Sequence, residues 1–346
     1  MNRKLIKNNA LAQRGAAVKS ILLFLSSLVL IALIATGVAG YFAWAEIKKP
    51  GPSDELTVVM LEPGSSVAKI ADTLEGAGVI QNVELFTAAV RVKGVQSELK
   101  AGEFGIPARA SVTEIIDLLI DGKSILHAIT IPEGLTTAQI LRLVEGHEIL
   151  EGDVVVELEE GSLLPETYSF TRGETREAMV RRMMTAQKNL VEKLWADRAM
   201  ELPISSTQEA IILASIVEKE TGQADERPMI ASVFVNRLKR GMRLQSDPTI
   251  IYGLTQGEPL GRGLRQSEIR GATPYNTYVI DRLPPTPIAN PGADAIAAVL
   301  KPAESEYLFF VADGSGGHVF AKTNREHQRN VAQWRRIERE LRQRGN

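Results

Sequence analysis

The chain has 346 residues, enough for two globular domains and one further segment. Its 40 Lys and Arg residues nearly balance its 42 Asp and Glu residues, so the net charge of -2 gives no reason to expect a nucleic-acid partner. The absence of Cys excludes disulfides, thiolate metal sites and a Cys nucleophile. The four His residues lack metal-binding spacing, so we expect neither a metal nor a cofactor.

A charge-free, apolar segment follows a basic N-terminus. Residues 1–19 contain basic and no acidic side chains, and residues 20–45 contain no charge. Such a segment is long enough to cross a bilayer core, with Tyr41 and Trp44 where interfacial aromatic residues are usual. The positive flank predicts a cytoplasmic tail (1–19), a single-pass membrane anchor (20–45) and a remainder outside the cytoplasm. The alternative is a cleaved signal peptide, because Ala43-Trp44-Ala45 resembles a cleavage site, although the apolar run exceeds the usual length.

Small repeated units follow the membrane segment. Residues 46–53 contain two Pro residues and predict a stiff linker that reaches only ~20 Å. A strand, a Pro/Gly turn and a capped amphipathic helix then occur twice, at 56–74 and 128–144, with one more capped helix at 110–122. We predict an α+β region over 54–160 that binds or positions a ligand; a plain spacer is the alternative.

Residues 206–222 predict a central buried helix. Ser206 and Glu209 form a capping-box pattern, and Gly222 is a candidate left-handed stop. The residues between are apolar almost all round, as in a helix inside a domain. Glu218 lies in the last turn, where desolvation and the helix dipole raise the pKa of a carboxyl group, so it is a candidate general acid. The alternative is that Glu218 pairs with a nearby cation.

Polar loops in the C-terminal half supply candidate sugar-binding side chains. These are Gln245, Ser246 and Asp247 in one loop and Asn276 and Tyr278 in another. A simple Asp-Pro turn is the alternative for the first loop. The remaining pattern predicts helices at 174–194 and 227–238, a hairpin over 307–321 and a basic terminal helix at 324–344.

Four motifs, in this order and spacing, resemble the endolytic murein transglycosylase (YceG-like) family. They are Ala214-Ser215-Ile216-Val217-Glu218-Lys219-Glu220-Thr221, Leu244-Gln245-Ser246-Asp247-Pro248-Thr249, Pro274-Tyr275-Asn276-Thr277-Tyr278 and the Pro-rich segment 283–292. Leu163-Leu164-Pro165-Glu166-Thr167-Tyr168 is a looser match, because that family more often has Phe-Pro-Asp there. Members of the family are anchored in the inner membrane and face the periplasm, so the resemblance implies the same location here. The resemblance implies an α+β chain with one N-terminal transmembrane helix, a small LysM-like α+β module within 54–160 and an α+β catalytic domain over 161–346.

The resemblance also implies an activity. Members cut nascent peptidoglycan strands internally, between N-acetylmuramic acid and N-acetylglucosamine, and leave 1,6-anhydromuramic ends. It implies a penicillin-binding synthase as partner and Glu218 as the catalytic residue. The five loop residues named above are our candidates for orienting the sugar. One carboxyl suffices, because the muramic C6 hydroxyl attacks C1. Glu220 lies about 200° from Glu218 around the helix, so we expect it to face elsewhere and do not assign it as a second catalytic acid.

Two rival functions remain open. One is a muramidase-type hydrolase, in which a second carboxylate, Asp247 or Glu166, activates water. The other is a non-catalytic scaffold that holds glycan and a synthase through residues 54–160.

Overall fold

The computed structural model describes residues 2–344, and the side chains of residues 24–340. The side chains of the predicted cytoplasmic tail, residues 1–19, therefore lie outside the described residues. The chain divides between Leu126 and His127 into two compact units. The first combines helices with one two-stranded antiparallel sheet, and the second combines helices with two such sheets. The fold class is α+β, as the sequence predicts.

The first unit is a small module that follows one long helix. Strands β1 and β2 pair antiparallel, with Thr57 opposite Ile106. Alternate β1 residues, Val59 and Leu61, enter the core with the inner faces of the helices. The elements are α1 (Asn2–Glu46), β1 (Thr57–Leu61), α2 (Val67–Gly76), α3 (Val83–Lys93), β2 (Gly102–Ile106) and α4 (Val112–Asp121).

Helix α1 contains the segment Phe24–Glu46, which is the only described helix long and apolar enough to cross a membrane, with a mean hydropathy of 2.0. The sequence predicts a linker at residues 46–53, but the structure holds this segment against the module. The Ile47 carbonyl accepts the N–H and the hydroxyl of Thr113, each at 3.2 Å. A Cβ on Gly51 would lie 2.3 Å from the Ala110 carbonyl oxygen, so only Gly fits there.

The second unit starts earlier than the sequence boundary at residue 160. Strand β3 pairs with β4, and residues 127–160 belong to this unit. Strands β5 and β6 form the predicted hairpin. The elements are β3 (His127–Thr130), α5 (Thr137–Glu145), β4 (Thr167–Phe170), α6 (Arg176–Ala196), α7 (Thr207–Glu220), a 3₁₀ turn (Ala224–Glu226), α8 (Arg227–Lys239), α9 (Asp247–Thr255), α10 (Gln266–Arg270), α11 (Ala293–Leu300), β5 (Phe309–Ala312), β6 (His318–Ala321) and α12 (Asn324–Arg344).

Helix α7 lies in the larger apolar core of this unit, with α8 and α11. The hydroxyl of Ser206 accepts the Glu209 N–H at 3.1 Å, which caps the first turn. The predicted glycine stop is wrong. The helix ends at Glu220, its cap residue Thr221 is extended (φ -143°), and Gly222 is not left-handed. The buried α7 residues are Ala210, Ile212, Leu213, Ala214, Ser215, Ile216 and Val217.

Truncation of Leu213 tests this packing. Leu213 is fully buried, so we expect Leu213→Ala to lower the free energy of unfolding by about 2–5 kcal/mol through lost burial and a residual cavity. Urea unfolding of the full chain in detergent measures it, with Met200→Ala, at an 89% exposed position, as control. Equal midpoints for the two variants would contradict the core position of α7.

Candidate active site

The two carboxyl groups in the last turn of α7 have different surroundings. Glu218 is 5% exposed at its side chain and forms an ion pair with Arg227, which is 8% exposed, at 2.9 Å. Its other oxygen accepts the Gly292 N–H at 2.9 Å. The same guanidinium nitrogen of Arg227 also contacts Glu133 at 2.8 Å. Glu218 thus has the cationic partner of the alternative interpretation, in a buried position.

Glu218 and its neighbours join α7 to the turn after β3. The ammonium group of Lys219 donates to the Gly134 carbonyl at 3.1 Å, beside Glu133. Burial raises the pKa of Glu218, while the Gly292 N–H and the Arg227 cation oppose that rise. Because both Glu218 oxygens already have donors, the contacts resemble a structural ion-pair network more than a group waiting for a substrate.

Glu220 points into a second polar cluster, and its carboxyl accepts a short hydrogen bond from the Ser246 hydroxyl. A small part of the residue reaches the surface of a groove, while protein atoms pack densely around the carboxyl. Burial raises the pKa of Glu220 to about 7, and the negative Asp247 adds to the rise. Ser246, His318 and Arg237 oppose it. Glu220 is therefore close to half protonated at neutral pH.

The groove beside Glu220 collects most of the predicted sugar-binding residues. Gln245, Asp247 and Tyr278 line it, and Ser246 contacts Glu220 directly. The groove has a volume of about 440 Å³. Its other lining residues come from α8, β5, α12 and the residue before Gln245: Arg237, Leu244, Phe309, Phe310, Asn324, His327 and Gln328.

The loop before α9 places Ser246 and Asp247 at this groove. Gln245 has a positive φ of 52°, and its N–H donates to the Thr277 carbonyl at 3.1 Å. The Ser246 N–H donates to the Thr277 hydroxyl at 2.9 Å. Ser246 is the N-cap residue of α9, but its hydroxyl does not cap that helix and turns to Glu220 instead. The Ser246 hydroxyl thus binds Glu220, and α9 has no side-chain cap at its first turn.

Asn276 does not line the groove. It is fully buried, and its amide donates to the carbonyls of Glu268, Ile269 and Gly271. Its side-chain oxygen accepts the Tyr278 N–H at 3.0 Å, and the Tyr278 hydroxyl donates to Asp247 at 2.7 Å. Asn276 therefore positions Tyr278, which is an indirect role.

Arg237 is a groove residue that the sequence analysis does not identify. It is 7% exposed, and its guanidinium donates to the Leu308 and Leu244 carbonyls, each at 2.6 Å. Its charge favours the ionised form of Glu220. An Arg within the apolar stretch 233–238 is the one sequence signal that marks it. In the part of the chain whose side chains are described, no cluster of His, Asp and Glu is arranged to hold a metal ion.

The raised pKa of Glu220 predicts a pH-dependent cost to stability. The unfolded carboxyl ionises near pH 4.5 and the folded one near 7, so the folded state binds more protons in between and stability falls as pH rises through this window. At 1.4 kcal/mol per pH unit the cost is about 3 kcal/mol above pH 7. We expect Glu220→Gln to unfold at a higher temperature than the parent at about pH 8 and at nearly the same temperature at about pH 4.5. A thermal unfolding series measures this, and a pH-independent difference would contradict the assigned pKa.

The chain is similar to known proteins in sequence and in fold. The YceG-like family model matches residues 59–333. A Streptococcus pneumoniae protein named endolytic murein transglycosylase is 30% identical over 89% of this chain, which spans 64% of that relative's length. A Bacillus subtilis protein of the same name is 30% identical over 84% of this chain and 89% of its own. The crystal structure of a putative YceG-like protein from Listeria monocytogenes superposes with a TM-score of 0.51, at 29% identity over 80% of this chain and 99% of that one. The chain belongs to the YceG-like family.

Proposed function

We propose that the chain is a lytic transglycosylase that cuts peptidoglycan strands internally. The bond is the one between N-acetylmuramic acid and N-acetylglucosamine, the product carries a 1,6-anhydromuramic end, and the cut terminates strand elongation. The names of the pneumococcal and Bacillus relatives support the activity. The observation that carries the proposal is the Glu220 carboxyl, bonded to the Ser246 hydroxyl at the edge of a groove lined with polar and aromatic side chains. Burial raises the pKa of this carboxyl to about 7, in keeping with that role.

We assign the general acid to Glu220 rather than to Glu218. Both carboxyl groups are buried, so a raised pKa alone does not separate them. Their partners do, because Glu218 faces a cation and a backbone N–H, whereas Glu220 faces one neutral hydroxyl and the groove. A general acid must be both protonated and within reach of the substrate. The residues predicted to orient the sugar surround Glu220.

Glu220 performs both proton transfers of the reaction. In its protonated form it donates to the glycosidic oxygen as the C1–O bond breaks. The resulting carboxylate then takes the proton of the muramic C6 hydroxyl as that oxygen bonds to C1, which closes the anhydro ring. The enzyme recovers its proton and no water is consumed. Ser246 and the nearby charge of Arg237 stabilise the transient carboxylate.

The polar groove residues are suited to holding the sugar on either side of that bond. Gln245 and Asp247 are exposed at the groove and present an amide and a carboxylate to hydroxyl groups. Tyr278 is fixed between Asn276 and Asp247 and offers an aromatic ring. Phe309 and Phe310 add apolar surface of the kind against which a sugar ring packs.

A hydrolase of the muramidase type is the second candidate, because Asp247 is a carboxylate in the same groove as Glu220. In that reaction water replaces the C6 hydroxyl, and a second carboxylate must activate it. Glu166, the other candidate, is not among the groove residues. The products separate the two reactions, since an anhydro end lacks one water relative to a reducing end.

Paired carboxamide variants test the assignment. We expect Glu220→Gln to lower the rate of glycan cleavage by about 10²–10⁴-fold, because the amide has no proton to donate. The matched control, Glu218→Gln, is expected to lose about 2 kcal/mol of stability through a weakened contact with Arg227 but to keep its rate per folded molecule. Mass spectrometry of digested glycan measures the rates and the end groups.

If Glu220→Gln is active and Glu218→Gln is inactive, Glu218 and not Glu220 is the general acid. Reducing ends from the parent enzyme would favour the hydrolase. Intact glycan after incubation with the folded parent would leave only the scaffold function.

We further propose that Phe24–Glu46 anchors the enzyme in the inner membrane, with the N-terminus in the cytoplasm and the rest of the chain after the anchor in the periplasm. The proposed LysM-like glycan-binding module follows the anchor, and the compact unit that ends at Leu126 supports its extent. A penicillin-binding synthase is the proposed partner, since nascent strands emerge beside it at the membrane.

A further inference from the structure

An apolar groove separates the outer end of α1 from the module of the first unit. One wall is formed by Gly40, Ala43 and Trp44, within the candidate membrane span. The opposite wall is formed by the α3 side chains, chiefly Leu85, Ala89 and Val92. The groove has a volume of about 510 Å³ and few polar atoms face it. Since Gly40 and Ala43 have small side chains, the two walls remain separated by open space.

The two walls are fixed relative to each other. The Ile47 carbonyl accepts two hydrogen bonds from Thr113 at the start of α4, and its side chain packs into the module core. The Gly51 N–H donates to the Arg109 carbonyl at 3.1 Å, and the Arg109 N–H donates back to Ser53. The chain between helix and module therefore cannot swing as a free linker would. The medium around Trp44, whether lipid or water, is therefore also the medium around the side of α3 that faces the groove.

The chemistry at the open side of the groove is that of a membrane interface. Trp44 is 53% exposed, and the Lys48 ammonium lies 4.0 Å from the centre of its ring. Lys93, at the end of α3, lines the same groove, and its ammonium group also contacts Asp117 at 2.6 Å. Val92 is 88% exposed, so its apolar side chain is open to whatever medium surrounds the adjacent membrane span. Aromatic rings, amines and an apolar floor are the features by which proteins hold lipids at the headgroup level.

We propose that one phospholipid of the leaflet on the module's side fills this groove. Its acyl chain lies between α1 and α3, and its phosphate lies near Lys48 and Lys93. The occupant is lipid because one wall belongs to the membrane span itself, and lipid is the solvent at that depth. The inference rests on the proposed anchor and is independent of the catalytic assignment. Its consequence is that the α3 side of the module is seated in the membrane surface.

A single cysteine at position 92 tests the proposal, since the natural chain contains no Cys. Val92→Cys in the full chain is labelled with an environment-sensitive dye and reconstituted into phospholipid nanodiscs. The matched control is Val155→Cys, at an 81% exposed Val of the second unit. We expect the dye at 92 to emit at shorter wavelength, to be quenched by a phospholipid-borne spin label and to resist aqueous iodide. The dye at 155 is expected to behave in the opposite way.

Three other outcomes would overturn the proposal. Equal iodide quenching at both positions would overturn the proposal while leaving the anchor intact. A dye at 92 that is shielded from both quenchers, in a chain that runs as a dimer, would give the groove to a second copy. Failure of the chain to insert into the nanodisc would overturn both the anchor and this site. Glycan cleavage in detergent is measured in parallel, so a failure of the catalytic assignment is seen separately.

Discussion

The hydrogen bond from Ser246 to the buried carboxyl of Glu220 is the contact on which the active-site arrangement depends. A carboxylate removed from water is expensive unless it is neutralised or supplied with donors. Here one neutral hydroxyl is the direct donor, and the positive charge of Arg237 acts in support. The balance leaves the pKa near 7, which is the range in which one group can give and take a proton at neutral pH. The bond also joins the end of α7 to the start of α9.

The last turn of α7 divides structural and chemical roles between two acids. Successive α-helical residues are rotated by about 100°, so Glu218 and Glu220 lie on nearly opposite sides. Glu218 turns to Arg227 and Gly292 and fixes the end of the helix in the unit. Glu220 turns to Ser246 and the groove. The contacts of Glu218 with Arg227 and Gly292 thus hold the last turn of α7 in place, and with it Glu220.

Features set by nearby residues could be predicted from the sequence. The Ser206 cap, the apolar α7 and the hairpin β5–β6 depend on patterns within a few residues, and the structure contains them. Features that depend on contacts between residues far apart in the sequence could not be predicted. The division at Leu126 follows from β3 joining β4, and the surroundings of Glu220 follow from a loop that lies after α8 in sequence. The helical rotation of about 200° correctly predicts that Glu218 and Glu220 face different parts of the unit. It does not predict which of the two the sugar-binding loops approach. The sequence does not predict the role of Arg237 because the guanidinium donates to the backbone carbonyls of Leu308 and Leu244. Every residue has such a carbonyl, so the sequence cannot identify these partners.

The pH dependence of kcat/KM for glycan cleavage tests the central claim most directly, with Glu218→Gln measured beside the parent. Because kcat/KM reports the pKa values of the free enzyme, it falls as pH rises through about 7 if Glu220 is the acid, and the midpoint is the same in both proteins because Glu218 takes no part in proton transfer. A kcat/KM that stays constant to about pH 9, or a midpoint that moves when Glu218 is replaced, would contradict the account.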